Sequence, residues 1–224
     1  TIIPVNNRGT YNTNFAGYGL GWFVSDVAGK KQLQHSGGLL GTVTLTTFIP
    51  EIKLGIIVLT NQQSGAAFNA ITNTIKDSYL GIKGFDRVKM ARGGVDQRES
   101  EAKAIVNAVW QTVDSSKRMK AVPDAKIYTG IYKDDWFGQV FITQEKEGLR
   151  FVSAKSPRLK GTMHFYTGNT WVVKWDDRSF DADAFASFIL DEKGKAKGFT
   201  MRAFSPLTDF SFDFHDLDFK RVEN

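Results

Sequence analysis

Apolar and polar positions alternate with a period of two along much of residues 18–61, as they do in strands with one covered face. The run "YGLGWFVSD" (18–26) alternates and is rich in aromatic residues, which predicts a strand. "KKQLQHS" (30–36) predicts a second strand after a turn at Ala28-Gly29. "TVTLTTFIP" (42–50) is rich in β-branched residues and closed by Pro50, which predicts a third. "KLGIIVLTN" (53–61) is a continuous apolar run, the pattern of a central strand covered on both faces. Pro50-Glu51-Ile52 turns the chain between the last two, so they are expected to pair as an antiparallel hairpin.

From 66 to 81 the period lengthens: Phe68, Ile71, Ile75 and Leu80 recur at near-helical spacing, and Gly81 is a plausible stop. Residues 82–95 contain Gly and many charges and read as a linker. A second helix is expected over roughly 96–120, with Ala102, Ile105, Val106, Val109, Trp110 and Val113 on one stripe. Beyond about residue 124, eight short alternating runs follow, beginning with "KIYTGIYK" and ending with "SFDFHDLDFKRV". Turns at Asp134-Asp135, Glu147-Gly148, Gly168-Asn169 and Lys193-Gly194 separate several of them. About eight such strands predict an antiparallel barrel or sandwich. The fold class expected for the whole is α+β.

Composition narrows the chemistry. The chain has 224 residues and no Cys, which removes disulfides, thiolate catalysis and Cys-ligated metals. No apolar run approaches the roughly 18 residues that cross a bilayer. The chain opens on Thr1, the expectation for a processed product or an internal segment of a longer protein. Residues 1–94 hold 9 Lys+Arg against 4 Asp+Glu and residues 95–224 hold 20 of each, so the net charge of +5 belongs to the first part. These cations form no block interleaved with aromatics, so nucleic acid is not expected as a partner.

One tetrad stands apart from the strand pattern, His35-Ser36-Gly37-Gly38. A Gly pair at a strand end marks a turn, a bulge, or a place where something approaches the backbone closely. If an acyl group lies along the strand, a Gly N–H can serve as an oxyanion donor. A neighbouring His can then bind a carboxylate or move a proton. Taken alone, the tetrad is better read as an ordinary strand end whose glycines serve a turn.

The surrounding residues resemble the serine β-lactamase and penicillin-binding-protein superfamily, in particular its class C and D,D-peptidase branch. Gly19-Leu20-Gly21-Trp22, His35-Ser36-Gly37, Gly41, Phe48-Ile49-Pro50-Glu51, Leu54 to Asn61 and the helix over 66–80 follow that branch's order. The resemblance implies that His35 begins the third catalytic motif and that Ser36 offers a hydroxyl to the substrate carboxylate. It implies that Gly37 keeps the strand surface open and that Gly38 supplies a backbone N–H to the oxyanion hole. The family also uses a Ser-x-x-Lys nucleophile and a Tyr-x-Asn motif, both earlier in the chain. No Tyr-x-Asn occurs here, and the one Ser-x-x-Lys, Ser100-Glu101-Ala102-Lys103, follows the third motif and reads as chance on a helix surface.

The chain is therefore expected to be the C-terminal part of a longer serine hydrolase, inactive alone. Its partner in the parent would be a small-molecule or peptide substrate. Family likeness implies a periplasmic or secreted location. Tyr128-Thr129-Gly130-Ile131-Tyr132 and the alternating runs after it, over about 98–222, resemble the lipocalin-like DUF3471 domain. The expected domains are thus 1–81, a linker 82–95, and a helix with a barrel over 96–224.

Three further groups have two readings each. Asp176, Asp177, Asp181 and Asp183 are either calcium ligands or a solvated turn, and their irregular spacing without a central Gly favours the turn. His164 and His215 lie far from His35 in sequence and are not expected to share a metal with it. Trp136, Phe137, Phe165, Tyr166, Trp171 and Trp175 either line a ligand cavity or fill the barrel, and a small barrel needs such filling. No cofactor or metal is expected. The alternative to a hydrolase segment is a non-catalytic scaffold whose barrel binds a ligand or joins a homo-oligomer.

Overall fold

A computed structural model describes residues 1–120, 122–146 and 148–222. The expected turn at Glu147-Gly148 falls partly on Glu147, outside the described residues. The chain forms two compact units, Thr1–Gln97 and Arg98–Asn224.

The first unit is a six-stranded antiparallel sheet with strands in chain order: β1 (Ile2–Ile3), β2 (Ala16–Gly19), β3 (Trp22–Val27), β4 (Lys30–Leu39), β5 (Thr42–Ile49) and β6 (Leu54–Thr60). The stretch 18–26 is not one strand but a hairpin. Leu20 (φ 53°) and Gly21 (φ 81°) both take the left-handed conformation, the two-residue turn whose twist suits right-twisted strands. The expected turn at Ala28-Gly29 has the same form, with φ of 48° and 75°.

β5 and β6 pair from Val43↔Thr60 to Ile49↔Leu54, as the hairpin reading requires. Helix α1 (Gly65–Leu80) covers one face of them. There Leu45, Ile49, Leu54, Ile56 and Val58 are buried with Phe68, and Ile75 and Leu80 pack against them. The other face is open: Ile57 is 65% and Leu59 74% exposed. The central-strand reading of β6 is therefore corrected. It is an edge strand covered on one side, and its unbroken apolar run concealed a buried-exposed alternation.

Helix α1 ends at Gly81 (φ 68°), whose N–H bonds the Asp77 carbonyl. Its inward stripe is partly polar: Thr72 and Lys76 are buried, whereas Ile71 is 45% exposed. Helix α2 runs Arg87–Arg118, so most of the expected linker is helical. Asp86 caps it by accepting the Lys89 N–H at 2.9 Å, and Arg92 pairs with Asp96 one turn on at 2.8 Å. Those local interactions outweigh the helix-weakening Gly93-Gly94.

The second unit is a closed antiparallel barrel of eight strands. They are β7 (Gly130–Asp134), β8 (Gly138–Glu145), β9 (Gly148–Ser153), β10 (Lys160–Thr167), β11 (Thr170–Trp175), β12 (Ala184–Leu190), β13 (Ala196–Ala203) and β14 (Asp218–Arg221). All eight runs seen in the sequence supply a strand, though the first and last are shorter than their runs. Inward positions are filled, with Tyr132, Val140, Leu149, Met163, Val173 and Phe219 all fully buried. From Arg98 onward α2 lies on the outside of this barrel, where Val109 and Val113 bury against Val172, Phe185 and Phe204. Ile105 is 42% exposed and leaves the stripe, while Ser116 joins it and donates to the Tyr166 carbonyl at 2.7 Å.

Arg221, at the end of β14, closes the barrel. Its guanidinium donates to the carbonyls of Thr129 (2.7 Å) and Ile127 (3.1 Å), to the Tyr132 hydroxyl (2.6 Å) and to the Ala196 carbonyl. A Cβ at Gly130 would overlap this guanidinium, so the Gly of the Tyr-Thr-Gly-Ile-Tyr run makes room for the latch.

Candidate functional site

His35, Ser36, Gly37 and Gly38 lie inside β4, not at a turn; the turn comes at Leu40-Gly41, where the Gly41 N–H donates to Gln63 Oε1 at 2.5 Å. The four residues pair with Thr46, Leu45, Thr44 and Val43 of β5. On its other side β4 pairs with β3 only from Lys30 to Gln34, because β3 begins at Trp22. Residues 35–39 therefore extend past β3 with one backbone edge paired and the other open. All five are exposed.

Ser36, opposite the buried Leu45, has its side chain on the α1 side of β4. The four residues share the open edge, not a single face. Neither Gly37 nor Gly38 has a positive φ. A Cβ on Gly38 would sit at an ordinary 3.5 Å from Val43 Cγ1, and one on Gly37 at 3.2 Å from the rotatable Thr44 hydroxyl. The sheet itself would accept side chains here at small cost.

Tyr18 also reaches this edge, and sequence reasoning missed it. Once Leu20-Gly21 is a turn, Tyr18 pairs with Phe23. Its hydroxyl lies 3.2 Å from His35 Nε2. The Tyr18 and Phe23 rings meet edge-on at 4.7 Å, and each ring centroid is 6.0 Å from the imidazole. The available signal was an X-Gly pair flanked by aromatic residues.

A second polar group is buried under α1. Lys76, 4% exposed, donates to Gln32 Oε1 at 2.9 Å and lies 4.3 Å from the Tyr11 ring centroid. Burial pushes its ammonium down to about 8, although the neighbouring Asp77 acts the other way. Asp77 accepts two hydrogen bonds from Arg87, at 2.6 and 3.0 Å, and one from the Tyr11 hydroxyl at 2.9 Å. Burial alone would raise this carboxyl, but those bonds outweigh it and hold it below the usual range. Tyr11 is raised, first by burial and then by Asp77. This network ties residue 11, Gln32 of β4, α1 and the start of α2 together.

The remaining candidates find local partners. Asp176 pairs with Arg150, Asp177 with Arg158 and Asp183 with Arg178, so three of the four carboxylates in that turn are occupied by arginines. His164 packs edge-on against Trp110 at 5.4 Å. His215 lies with Asp213 and Asp216, their ligand atoms within 4.8 Å of one another on an open turn. Phe165, Trp171 and Trp175 fill the barrel and Phe137 packs on it. Tyr166 packs outside against Phe185 with the rings tilted by 53°, and Trp136 is 68% exposed.

With this geometry in hand, residues 4–80 match the Beta-lactamase family and residues 117–221 match DUF3471, a domain of unknown function. The chain thus carries a Beta-lactamase segment followed by a DUF3471 domain. Among solved structures it is similar to SurE with D-Leu (12% identity, 92% of this chain and 39% of that one, TM-score 0.33). It is also similar to the octameric penicillin-binding protein homologue from Pyrococcus abyssi (14% identity, 92% of this chain and 37% of that one, TM-score 0.31). It therefore spans less than two fifths of the length of these solved chains. No curated protein matches it.

Proposed function

We propose that this chain is part of a serine hydrolase of the β-lactamase-related, D,D-peptidase group, acting through an acyl-enzyme on an amide or ester such as a D-amino-acid peptide. The observation that carries this reading is the open edge of β4 at residues 35–39, bearing two glycines that the sheet does not need. An extended substrate can add to such an edge as a further strand. The Gly38 N–H would then meet the acyl oxygen, Ser36 would offer its hydroxyl to a substrate carboxylate, and His35 would flank the same path. By family likeness, the location proposed for the chain is periplasmic or secreted. No helix among the described residues is long and apolar enough to cross a membrane.

These 224 residues contain no Tyr-x-Asn and no Ser-x-x-Lys ahead of the tetrad, so they should not be acylated on their own. A fluorescent penicillin should leave this chain unlabelled. A polypeptide that also supplies both motifs should be labelled at its motif serine or should cleave a D-amino-acid peptide. Labelling of the 224 residues alone, or an inert longer polypeptide, would remove the reading. The barrel's filled interior supports a structural or interaction role for the second unit. Uptake of a lipophilic dye into that interior would argue for ligand binding instead.

A further inference from the structure

The Tyr18–His35 contact bears on what the imidazole can do, and it builds on the reading of His35 as a substrate-facing residue. His35 sits one position beyond the last β3–β4 pair, so β3 offers no backbone to hold its flank. That flank is filled by Tyr18 and Phe23, with the phenol oxygen 3.2 Å from Nε2. Between a neutral phenol and a neutral imidazole, the phenol O–H is the better donor and the ring nitrogen lone pair the better acceptor. Engaging Nε2 in this way leaves the ring proton on Nδ1.

We propose that Tyr18 is the positioning residue of His35. Its hydroxyl donates to Nε2, fixes the Nδ1–H tautomer, and leaves Nδ1–H as the imidazole's one free hydrogen-bonding group. His35 is then a donor toward a substrate carboxylate or carbonyl oxygen, and its basic lone pair is already in use. Of the two roles open to a His in this motif, binding an oxygen and removing a proton, the contact selects the first.

The test reads the tautomer directly in the 224-residue chain, without activity. Long-range ¹H–¹⁵N imidazole spectra would be recorded near pH 9, well above the ordinary imidazole range of about 6.5. His35→Gln identifies the resonance among the chain's three histidines. The expected result is Nδ1–H in the parent and a change to the Nε2–H form, which free neutral histidine prefers, in Tyr18→Phe. That substitution removes one oxygen from a side chain 38% exposed, and an unchanged amide spectrum elsewhere would verify the fold. Nε2–H in the parent, or the same tautomer in both proteins, overturns the proposal. Because no turnover is involved, a correct tautomer beside an inert full-length enzyme would sink the hydrolase reading and leave the Tyr18–His35 pair standing.

Discussion

At the scale of single residues, the first unit stores an unusual group in Lys76. Its ammonium is buried beside Gln32 and the Tyr11 ring, and burial lowers it from 10.5 to about 8. The unfolded chain therefore holds a proton between about 8 and 10.5 that the folded chain has released, so stability from this group rises with pH across that window. Tyr11, held above its ordinary value of 10.0, works in the opposite direction at higher pH, so the clean interval ends near 10. Urea unfolding followed through amide signals of β5 and α1 should show the first unit gaining on the order of 2 kcal/mol from pH 7.5 to 10. Lys76→Met should lose that slope, whatever constant offset it introduces. An equal slope in both proteins would mean that Lys76 titrates normally. The sequence hid this residue because a Lys in α1 reads as surface; only its spacing, two turns beyond Phe68, places it on the inward stripe.

At the scale of elements, periodicity and turn chemistry carried the reading far. The β5–β6 hairpin, α1 with its Gly81 stop and eight barrel strands follow from alternation, helical spacing and Gly positions. The misses have physical causes. Leu20 takes a left-handed φ, which side chains other than Gly and Asn seldom do, so the β2–β3 hairpin looked like one strand. The Asp86 cap and the Arg87–Asp77 ion pair start α2 ahead of Gly93-Gly94, and the pair joins residues the sequence does not link. The tetrad was legible as chemistry, but its open edge was not, since that depends on where β3 begins. Glycines also divide by element in a way only packing reveals. A Cβ on Gly198 of β13 would lie 2.5 Å from the Phe219 carbonyl oxygen of β14, whereas Gly37 meets only a hydroxyl at 3.2 Å. Gly198→Ala should therefore destabilise the barrel by about 2–3 kcal/mol, and Gly37→Ala should cost the first unit less than about 1 kcal/mol. Denaturant midpoints of the two variants would decide it; comparable losses would mean that β4 also needs its bare backbone for folding.

At the scale of the whole molecule, the first unit carries a surface that water covers poorly. The β4–β5–β6 register puts Leu39, Ile57 and Leu59 on the face away from α1, where they are 80%, 65% and 74% exposed. The same β6 is an edge strand with an unpaired backbone row, and no Pro or charged residue interrupts Leu54–Thr60. Exposed apolar side chains beside a free strand edge favour association, through edge pairing, face burial or both. Light scattering should therefore give a mass that climbs with concentration at neutral pH. Ile57→Lys with Leu59→Lys should bring it down to 25.0 kDa at all concentrations, since both side chains already point to solvent and each added charge opposes like charge across a pairing edge. Salt separates the two routes: association through the apolar face should persist or strengthen at high ionic strength, while in the Lys variant screening should restore pairing at the edge. A strictly monomeric parent at high concentration would show that this face is protected in solution, and would count against the homo-oligomer as a state of this chain.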